Sequence, residues 1–287
     1  MFPSRFDYVA VTSVAEAVAA KAADGDDARI LAGGQSLLPM MKIRLASPAK
    51  LIDINRIGGL DTMVRENNHL RVGALVRHAD VVASELPTGA VAAAAKWVSD
   101  PLIRNLGTLC GSVSHCDPEG DWNSVLLATG ADVVATGPNG ERTIAITDFV
   151  RDIFTNSLEP DEMVTAVHIR VPAGRAGGTY LKLERKVGDY ATVAVATHLE
   201  LADDGTISRA GIGLTSVAPT NVKATAAEAA LVGNAPSEQL FADAAELAVS
   251  AAEPRDDVRG TAVWKRQVIR TYVRRGLATA AEQAAAN

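Results

Sequence analysis

Short apolar runs alternate with alanine-rich stretches along the N-terminal part of the chain. Runs at 28–31 and 51–54 have the length and composition of buried strands. Ser13 opens a capping-box pattern and predicts a helix that ends at Gly25. This alternation predicts a first α/β subdomain over residues 1–56.

The same alternation continues and predicts a second α/β subdomain over residues 57–172. The predicted strands are 69–73, 131–135, 143–146 and 164–171, and the predicted helices are 87–98 and 122–129. The segment Gly137-Pro138-Asn139-Gly140 predicts a hairpin turn, because Gly and Asn adopt the backbone angles that tight turns need.

From residue 173 onward the pattern changes to alternating strands followed by helices. The predicted strands are 179–183, 192–201 and 206–215, and the predicted helices are 224–232, 238–252 and 261–282. Residues 203–205, Asp-Asp-Gly, predict the turn between the last two strands. The third unit, 173–287, is therefore predicted to combine an antiparallel sheet with helices, and the whole chain to be α+β.

Two glycine-rich segments interrupt this pattern, and both mix glycine with small hydroxyl side chains. They read Ala32-Gly33-Gly34-Gln35-Ser36 and Gly107-Thr108-Leu109-Cys110-Gly111-Ser112. Glycine lets the backbone approach a ligand closely, and successive N–H groups together with Ser or Thr hydroxyls bind anions. The pair predicts a site for the two phosphates of a dinucleotide, although each segment read alone is also typical of an ordinary turn.

Neither segment has the spacing of the common nucleotide motifs. Residues 211–213, Gly-Ile-Gly, lack the third glycine of a Rossmann motif, and the chain has no P-loop sequence. No Gly-x-Ser-x-Gly motif surrounds Ser36, so nucleophilic catalysis is not predicted. We predict no catalytic side chain in this chain.

The composition excludes several classes of protein. The 287 residues are 48% hydrophobic and carry a net charge of −6, which argues against nucleic acid as the main partner. No apolar stretch reaches the roughly 20 residues that a membrane span needs, and the N-terminus has no signal-peptide pattern. We therefore expect a cytoplasmic protein without a transmembrane segment.

The two cysteines, Cys110 and Cys116, limit the redox chemistry of the chain. A conventional iron–sulfur cluster takes four thiolates, so this chain cannot hold one alone. His115 and Asp117 lie beside Cys116, but their spacing fits no zinc pattern. We predict no metal site and interpret these residues as part of a loop near a bound ligand.

Both glycine-rich segments and their flanks resemble a known family. Residues 32–42 and 104–112 resemble the two FAD pyrophosphate loops of the flavoprotein (medium) subunits of molybdenum hydroxylases. Residues 186–192, Lys-Val-Gly-Asp-Tyr-Ala-Thr, resemble the flavin-facing segment of the carbon monoxide dehydrogenase medium subunit in particular. The resemblance extends from Phe6 to the C-terminal helix.

The resemblance implies a fold, a cofactor and partners. The fold is α+β, with two N-terminal α/β subdomains of the FAD-binding PCMH/vanillyl-alcohol-oxidase type and a C-terminal CO dehydrogenase flavoprotein domain. The FAD is non-covalent, because Gln35 stands where some members of the wider superfamily attach flavin to a histidine. A large subunit would carry the molybdenum cofactor and a small one 2Fe-2S clusters, in a dimer of heterotrimers. The flavin subunit would pass electrons to an external acceptor such as quinone, with peripheral membrane association of the complex left open.

The resemblance also assigns residues to the cofactor. They are Ala32, Gly33, Gly34, Gln35, Ser36, Thr108, Leu109, Gly111, Ser112, Asp121, Val164, Lys186, Asp189 and Tyr190. Backbone N–H groups of the first segment would bind one phosphate, and hydroxyls of the second would bind the other. Asp121 would accept from a ribose hydroxyl or else cap the helix after it, and Lys186 would lie near the flavin pyrimidine. Tyr190 would cover one face of the flavin or else pack in the core.

Two residues of the second segment depart from the family pattern. Cys110 stands where a glycine is common, and a cysteine resists positive φ, so its backbone is either ordinary or strained. Ser112 stands where an asparagine is frequent. These departures concern the contacts of the second segment and not the fold.

Other functions stay open beside an electron-transfer subunit of carbon monoxide dehydrogenase. The chain could serve another molybdenum hydroxylase that acts on N-heterocycles or aromatic CoA esters. It could also be a stand-alone NAD(P)H-dependent flavin reductase or a non-enzymatic nucleotide-binding module. Bleaching of the isolated chain by NADH would indicate the reductase, and a chain without flavin would indicate the binding module.

Overall fold

The first part of the chain forms a parallel sheet flanked by helices. The computed structural model describes residues 2–287, so Met1 lies outside the description. The sheet has the order β1-β3-β2. Its elements are β1 Asp7–Ala10, α1 Val14–Asp24, β2 Ala28–Leu31, α2 Leu37–Lys42 and β3 Lys50–Asp53. The predicted helix start is confirmed, because the Ser13 side chain accepts from the N–H of Glu16 at 3.2 Å, and Gly25 ends α1 with a φ of 52°.

A five-stranded antiparallel sheet follows, with the order β4-β5-β10-β6-β7. Its strands are β4 Met63–Glu66, β5 His69–Gly73, β6 Ala131–Gly137, β7 Gly140–Ala145 and β10 Met163–Arg170. The helices are α3 His78–Ala83, α4 Gly89–Ala95, α5 Pro101–Arg104, α6 Leu109–His115, α7 Asp121–Thr129 and α8 Ile146–Phe149, and β8 Val150–Asp152 pairs with β9 Thr155–Asn156. The hairpin prediction is confirmed, because Gly137 pairs with Gly140. The prediction that Ile146 lies in the strand is wrong, since this residue begins α8.

The C-terminal part forms the four-stranded antiparallel sheet β11-β12-β13-β14, covered by helices. The elements are β11 Ala176–Leu183, β12 Val193–Leu201, β13 Ile207–Thr215, β14 Val222–Lys223, α9 Thr225–Leu231, α10 Glu238–Ser250 and α11 Ala262–Ala286. The sheets divide the chain between β3 and β4 and between β10 and β11. We therefore propose 1–56, 57–172 and 173–287 as its structural units.

Helix α7 joins the second unit to the third. All of its residues are buried, and β13 crosses it closely enough that two glycines are required. A Cβ atom at Gly211 would overlap the backbone of Ala128, and one at Gly213 would overlap the backbone of Ser124. The Gly-Ile-Gly sequence therefore serves helix–strand packing.

Within residues 2–287, no helix has both the length and the apolar character that crossing a bilayer requires.

Candidate functional site

The first glycine-rich segment connects β2 to α2 and leaves its backbone donors free. Gly34 has a φ of 71°, a conformation that glycine adopts without strain. Among residues 2–287, no acceptor is found for the N–H groups of residues 33–36. The Ser36 side chain makes no cap hydrogen bond to α2. This segment therefore offers four backbone donors and a hydroxyl to a ligand.

The carbonyl groups of the same segment are held by amide side chains. Asn55, just after β3, donates from Nδ2 to the carbonyl of Ala32 at 2.9 Å. Gln35 donates from Nε2 to the carbonyl of Gly33 at 3.0 Å. Since β2 and β3 are parallel neighbours, their carboxyl ends meet at one edge of the sheet. That placement brings Asn55 to the first segment.

The second segment is not a loop as predicted, since residues from Leu109 onward form the first turn of α6. Thr108 is the N-cap, and its Oγ1 accepts from the N–H of Gly111 at 3.1 Å. Thr108 is 3% exposed. Two of the groups assigned to the ligand thus bond to each other, which leaves the Thr108 hydroxyl proton and the half-buried Ser112 hydroxyl as side-chain donors.

Cys110 has an ordinary helical backbone, so no strain is stored at this departure from the family pattern. Its thiol donates to the carbonyl of Val72 at 3.4 Å, and burial raises the pKa of the thiol to about 12. The left-handed residue is instead Cys116, with a φ of 51°, at the end of α6. Both thiols therefore face the protein interior.

A buried histidine lies directly beneath the second segment. His78 is 4% exposed, accepts from Trp122 Nε1 at 3.1 Å on Nδ1, and lies so close to Gly107 that a Cβ there would come within 3.0 Å of the imidazole. The N–H of His78 donates to the Gly107 carbonyl at 3.0 Å. Burial, reinforced by the positive charges of Arg104 and Arg77, lowers the pKa of His78 to about 4. The imidazole is therefore neutral at physiological pH and holds the second segment in place.

The two segments touch each other, and Arg77 connects them. A Cβ at Gly33 would overlap the Leu106 carbonyl and come within 2.7 Å of Gly107 Cα. Arg77 donates from one guanidinium nitrogen to the carbonyl of Leu106 and from the other to Asn55 Oδ1 at 2.6 Å. Sequence reasoning missed both residues; the signal available for Asn55 was its place at the end of a strand parallel to β2.

Asp121 lies at the start of α7, where Gly120 is the N-cap, so the capping alternative is wrong. Its carboxylate accepts from the Tyr180 hydroxyl at 2.6 Å and from Lys182 Nζ at 3.2 Å. Burial raises the pKa of Asp121, although the Lys182 charge and both hydrogen bonds oppose this. Asp121 thus joins α7 to β11, and its binding to ribose stays a prediction.

Residues 186–190, which were predicted to face the flavin, form a turn after β11. This turn contacts the residues just before α5. Gly188 has a φ of 84°, and its carbonyl accepts from Ser99 Oγ at 3.4 Å. Lys186 is exposed, and Asp189 accepts from the N–H of Tyr190 at 2.9 Å. Tyr190 is 47% exposed, so its ring is not a core aromatic. Burial of the hydroxyl and the neighbouring Asp117 and Glu119 charges raise the pKa of Tyr190 to about 12.

Val164 lies in a different environment from the other assigned residues. It is 7% exposed and pairs with Ala135 where β10 contacts β6. Its strand also contacts α6, so it lies in the layer beneath the second segment. The structure therefore brings together the two glycine-rich segments. It places the 186–190 turn beside Ser99 and Asp100, which precede the second glycine-rich segment.

The polar groups at this junction fit a diphosphate. Four backbone N–H groups and three hydroxyls, those of Ser36, Thr108 and Ser112, lie on neighbouring segments, and glycine at position 33 lets the segments meet. Among residues 2–287, no cluster of three or more His, Cys, Asp or Glu side chains could hold a metal ion. Two surface grooves have volumes of about 530 and 570 Å³. The first is lined by Trp97 and Tyr272 and the second by His69 and His168, and neither lining includes a residue of the two glycine-rich segments.

Comparison with known proteins shows what this architecture resembles. Residues 4–173 match the family described as FAD binding domain in molybdopterin dehydrogenase, and residues 178–280 match the CO dehydrogenase flavoprotein C-terminal domain. These two matches confirm the predicted fold class. They also identify FAD as the cofactor of the N-terminal part.

Relatives are similar over their full length. The carbon monoxide dehydrogenase medium chain of Hydrogenophaga pseudoflava is 38% identical over 96% of this chain and 97% of its own. The 6-hydroxypseudooxynicotine dehydrogenase complex subunit alpha of Paenarthrobacter nicotinovorans is 38% identical over 99% of this chain and 97% of its own. A solved chain of carbon monoxide dehydrogenase from Hydrogenophaga pseudoflava, lacking the Mo-pyranopterin moiety, superposes with a TM-score of 0.94 at 41% identity, covering 99% of both chains.

Proposed function

This chain belongs to the family of FAD-binding flavoprotein subunits of molybdopterin dehydrogenases, and from that premise we propose that it is the electron-transfer subunit of a molybdenum-containing carbon monoxide dehydrogenase. The observation that carries the substrate assignment is the full-length similarity to a carbon monoxide dehydrogenase medium chain. The equal identity to the 6-hydroxypseudooxynicotine dehydrogenase subunit supports a second candidate, a subunit of an N-heterocycle-type hydroxylase. The substrate pocket of either enzyme would lie on a partner subunit.

The first glycine-rich segment is proposed to bind the diphosphate of FAD with its backbone donors. Donors fixed before the ligand arrives bind an anion without a reorganisation cost. The second segment adds the hydroxyls of Thr108 and Ser112, and Leu109 lies in the cap turn between them. FAD, once bound, accepts and releases electrons singly or in pairs, which suits it to join one-electron donors to a two-electron acceptor.

The turn after β11 is proposed to lie at the flavin ring. Lys186 is an exposed cation, and a cation near the pyrimidine end stabilises negative charge on the reduced ring. The half-exposed ring of Tyr190 would cover one flavin face, and Asp189 holds the turn through its contact with the Tyr190 N–H. Val164 would support the pocket from the sheet.

The electron donors are proposed to be 2Fe-2S clusters on a small partner subunit, with the molybdenum cofactor on a large one. The placement of the cysteines supports this division, since Cys110 and Cys116 are both buried and cannot supply four thiolates. We propose a dimer of heterotrimers in the cytoplasm, with quinone as external acceptor.

The complex purified through this chain tests the proposal. We expect the purified complex to show a flavin spectrum and to contain iron and molybdenum. We expect FAD in the supernatant after acid precipitation. Carbon monoxide should bleach the flavin band, whereas 6-hydroxypseudooxynicotine should not. Bleaching by the second compound alone would overturn the substrate assignment, and a chain active alone with NADH would overturn the subunit assignment. Yellow colour that stays on the acid-precipitated protein would overturn non-covalent binding.

A further inference from the structure

Arg77 and Asn55 form a bracket behind the two glycine-rich segments. Arg77 bonds to the Leu106 carbonyl and to Asn55 Oδ1, and Asn55 Nδ2 bonds to the Ala32 carbonyl. One side-chain pair therefore holds the Ala32 carbonyl of the first segment and the Leu106 carbonyl directly before the second segment. Neither residue lies within a glycine-rich segment, and neither has been assigned to the cofactor above.

The bracket determines where the peptide N–H groups point. In a planar trans peptide, the carbonyl of one residue and the N–H of the next point in opposite directions. Because the Ala32 carbonyl points to Asn55, the N–H of Gly33 points away from the bracket. The Gln35 side chain fixes the N–H of Gly34 in the same way through the Gly33 carbonyl. Without these contacts, a rotation of the peptide would present a carbonyl to an anion.

The bracket is itself held from the first parallel sheet. Asp53 accepts from the backbone N–H and the side-chain amide of Asn55 at 2.9 and 2.7 Å, and from the Tyr8 hydroxyl at 2.6 Å. Burial alone would raise the pKa of Asp53, but these hydrogen bonds and the Arg56 charge lower it. Asp53 is therefore ionised at neutral pH and fixes the orientation of the Asn55 amide.

The spacing of the two segments follows from the same contacts. Gly33 already touches the Leu106–Gly107 backbone, and the Arg77 guanidinium spans from that backbone to the Asn55 side chain. Both terminal nitrogens of the guanidinium donate to these acceptors. The backbone N–H of Arg77 donates to Asp80 Oδ2 at 2.9 Å and fixes the backbone from which the side chain extends. The side chain is thus oriented by the protein before any ligand binds.

We propose that Arg77 and Asn55 are positioning residues that set the spacing of the glycine-rich segments and aim the Gly33 N–H at the diphosphate of FAD. The inference rests on the proposed assignment of these segments to the diphosphate. It adds that FAD affinity depends on a side-chain pair that does not contact the ligand. The same pair couples the first parallel sheet to the second unit at the site.

Titration of the full-length apoprotein with FAD and with ADP tests this proposal. The variants are Asn55→Ala, Arg77→Met and the double variant. The control is Arg270→Met, which breaks the pair between Arg270 on α11 and Glu246 on α10, both outside the glycine-rich segments. Each single variant should weaken FAD binding about tenfold, since charge-assisted and amide hydrogen bonds at a solvent-accessible position are lost. ADP, which carries the diphosphate without the flavin, should lose affinity by the same factor.

The double variant distinguishes positioning from two independent contacts. Because the residues act through one bracket, the double variant should lose little more affinity than either single variant. Additive losses, or a loss for FAD that ADP does not share, would overturn the proposal. So would melting temperatures of the variant apoproteins that fall well below that of Arg270→Met, because the residues would then act on stability. If the wild-type apoprotein binds neither ligand, the assignment of the segments to the diphosphate fails instead.

Discussion

The two glycine-rich segments have similar sequences but use their polar groups differently. The first leaves the N–H groups of residues 33–36 without acceptors in the described chain, and the Ser36 hydroxyl caps nothing. In the second segment, the Gly111 N–H donates to the Thr108 hydroxyl oxygen, and Gly107 packs against the buried His78. Glycine with small hydroxyls therefore predicts close backbone approach in both places, whereas the number of free donors distinguishes a ligand-binding segment from an anchoring one.

This difference assigns separate tasks to the two segments. A donor that is already bonded inside the protein adds stability, and a donor that is free adds affinity for a ligand. Substitutions of the bonded groups in and beneath the second segment, such as Thr108 and His78, should thus lower the free energy of unfolding. Removal of an unbonded hydroxyl, such as that of Ser36, should change FAD affinity and leave the apoprotein stable.

The largest expected effect concerns His78 and pH. Its pKa is about 4 in the folded chain against 6.5 in the unfolded one, so between these values the unfolded state binds a proton that the folded state does not. Stability therefore falls as pH decreases from 6.5 to 4. The His78 contribution to this fall is about 3 kcal/mol.

Urea unfolding of the apoprotein at a series of pH values measures this contribution. His78→Gln removes the titrating group. As pH decreases from 6.5 to 4, the free energy of unfolding of this variant should therefore fall less than that of the wild type. The comparison uses the change with pH in each protein, which excludes the constant cost of the substitution. Parallel curves for the two proteins would show that His78 does not anchor the second segment through a neutral imidazole.

The next effect concerns the contact between the segments. Gly33→Ala places a methyl group against the Leu106–Gly107 backbone and should force the segments apart. This overlap is present with or without FAD, so we expect it to lower the free energy of unfolding of the apoprotein by about 2 kcal/mol. FAD binding should weaken as well, because the displaced segments no longer hold their donors at the spacing of the diphosphate. Gly58→Ala is the matched control, because no atom lies within 4 Å of its Cβ position. Equal FAD affinity in the two variants would contradict the close contact.

Sequence reasoning recovered the elements with strong apolar patterns and missed those without them. Strands such as β10 and β12 are buried along most of their length and were predicted within a residue or two of their ends. Strand β4 was missed, because it is an exposed strand at the edge of the sheet and carries no hydrophobic alternation. The pattern reports burial, and an edge strand has little of it.

The candidate site was predicted only as far as local sequence carries the information. The glycines of both segments are visible as residue types. The roles of Arg77 and His78 depend on contacts with residues 22 positions or more away, which no spacing rule describes. For Cys110 the sequence left an ordinary and a strained backbone open, and the structure places this residue in a helix.

A smaller effect distinguishes capping from ligand binding at Thr108. Thr108→Ala removes the N-cap of α6 and should lower the free energy of unfolding by about 1.5 kcal/mol. Thr261→Ala, which removes the N-cap of the distant helix α11, should cost a similar amount. FAD affinity should fall for Thr108→Ala alone. A loss of affinity in both variants would mean that the titration follows stability and not the site.

The smallest effect tests whether a free hydroxyl behaves alike in both segments. Ser36→Ala and Ser112→Ala should each weaken FAD binding by about 1 kcal/mol, or fivefold, and leave apoprotein stability unchanged, because neither hydroxyl has a partner within residues 2–287. Ser114→Ala is the control, since Ser114 Oγ donates to the Cys110 carbonyl at 2.7 Å in the same helix as Ser112. This variant should leave FAD affinity unchanged. If Ser112→Ala instead lowers stability and spares affinity, the second segment is an anchor throughout, and the first segment alone binds the diphosphate.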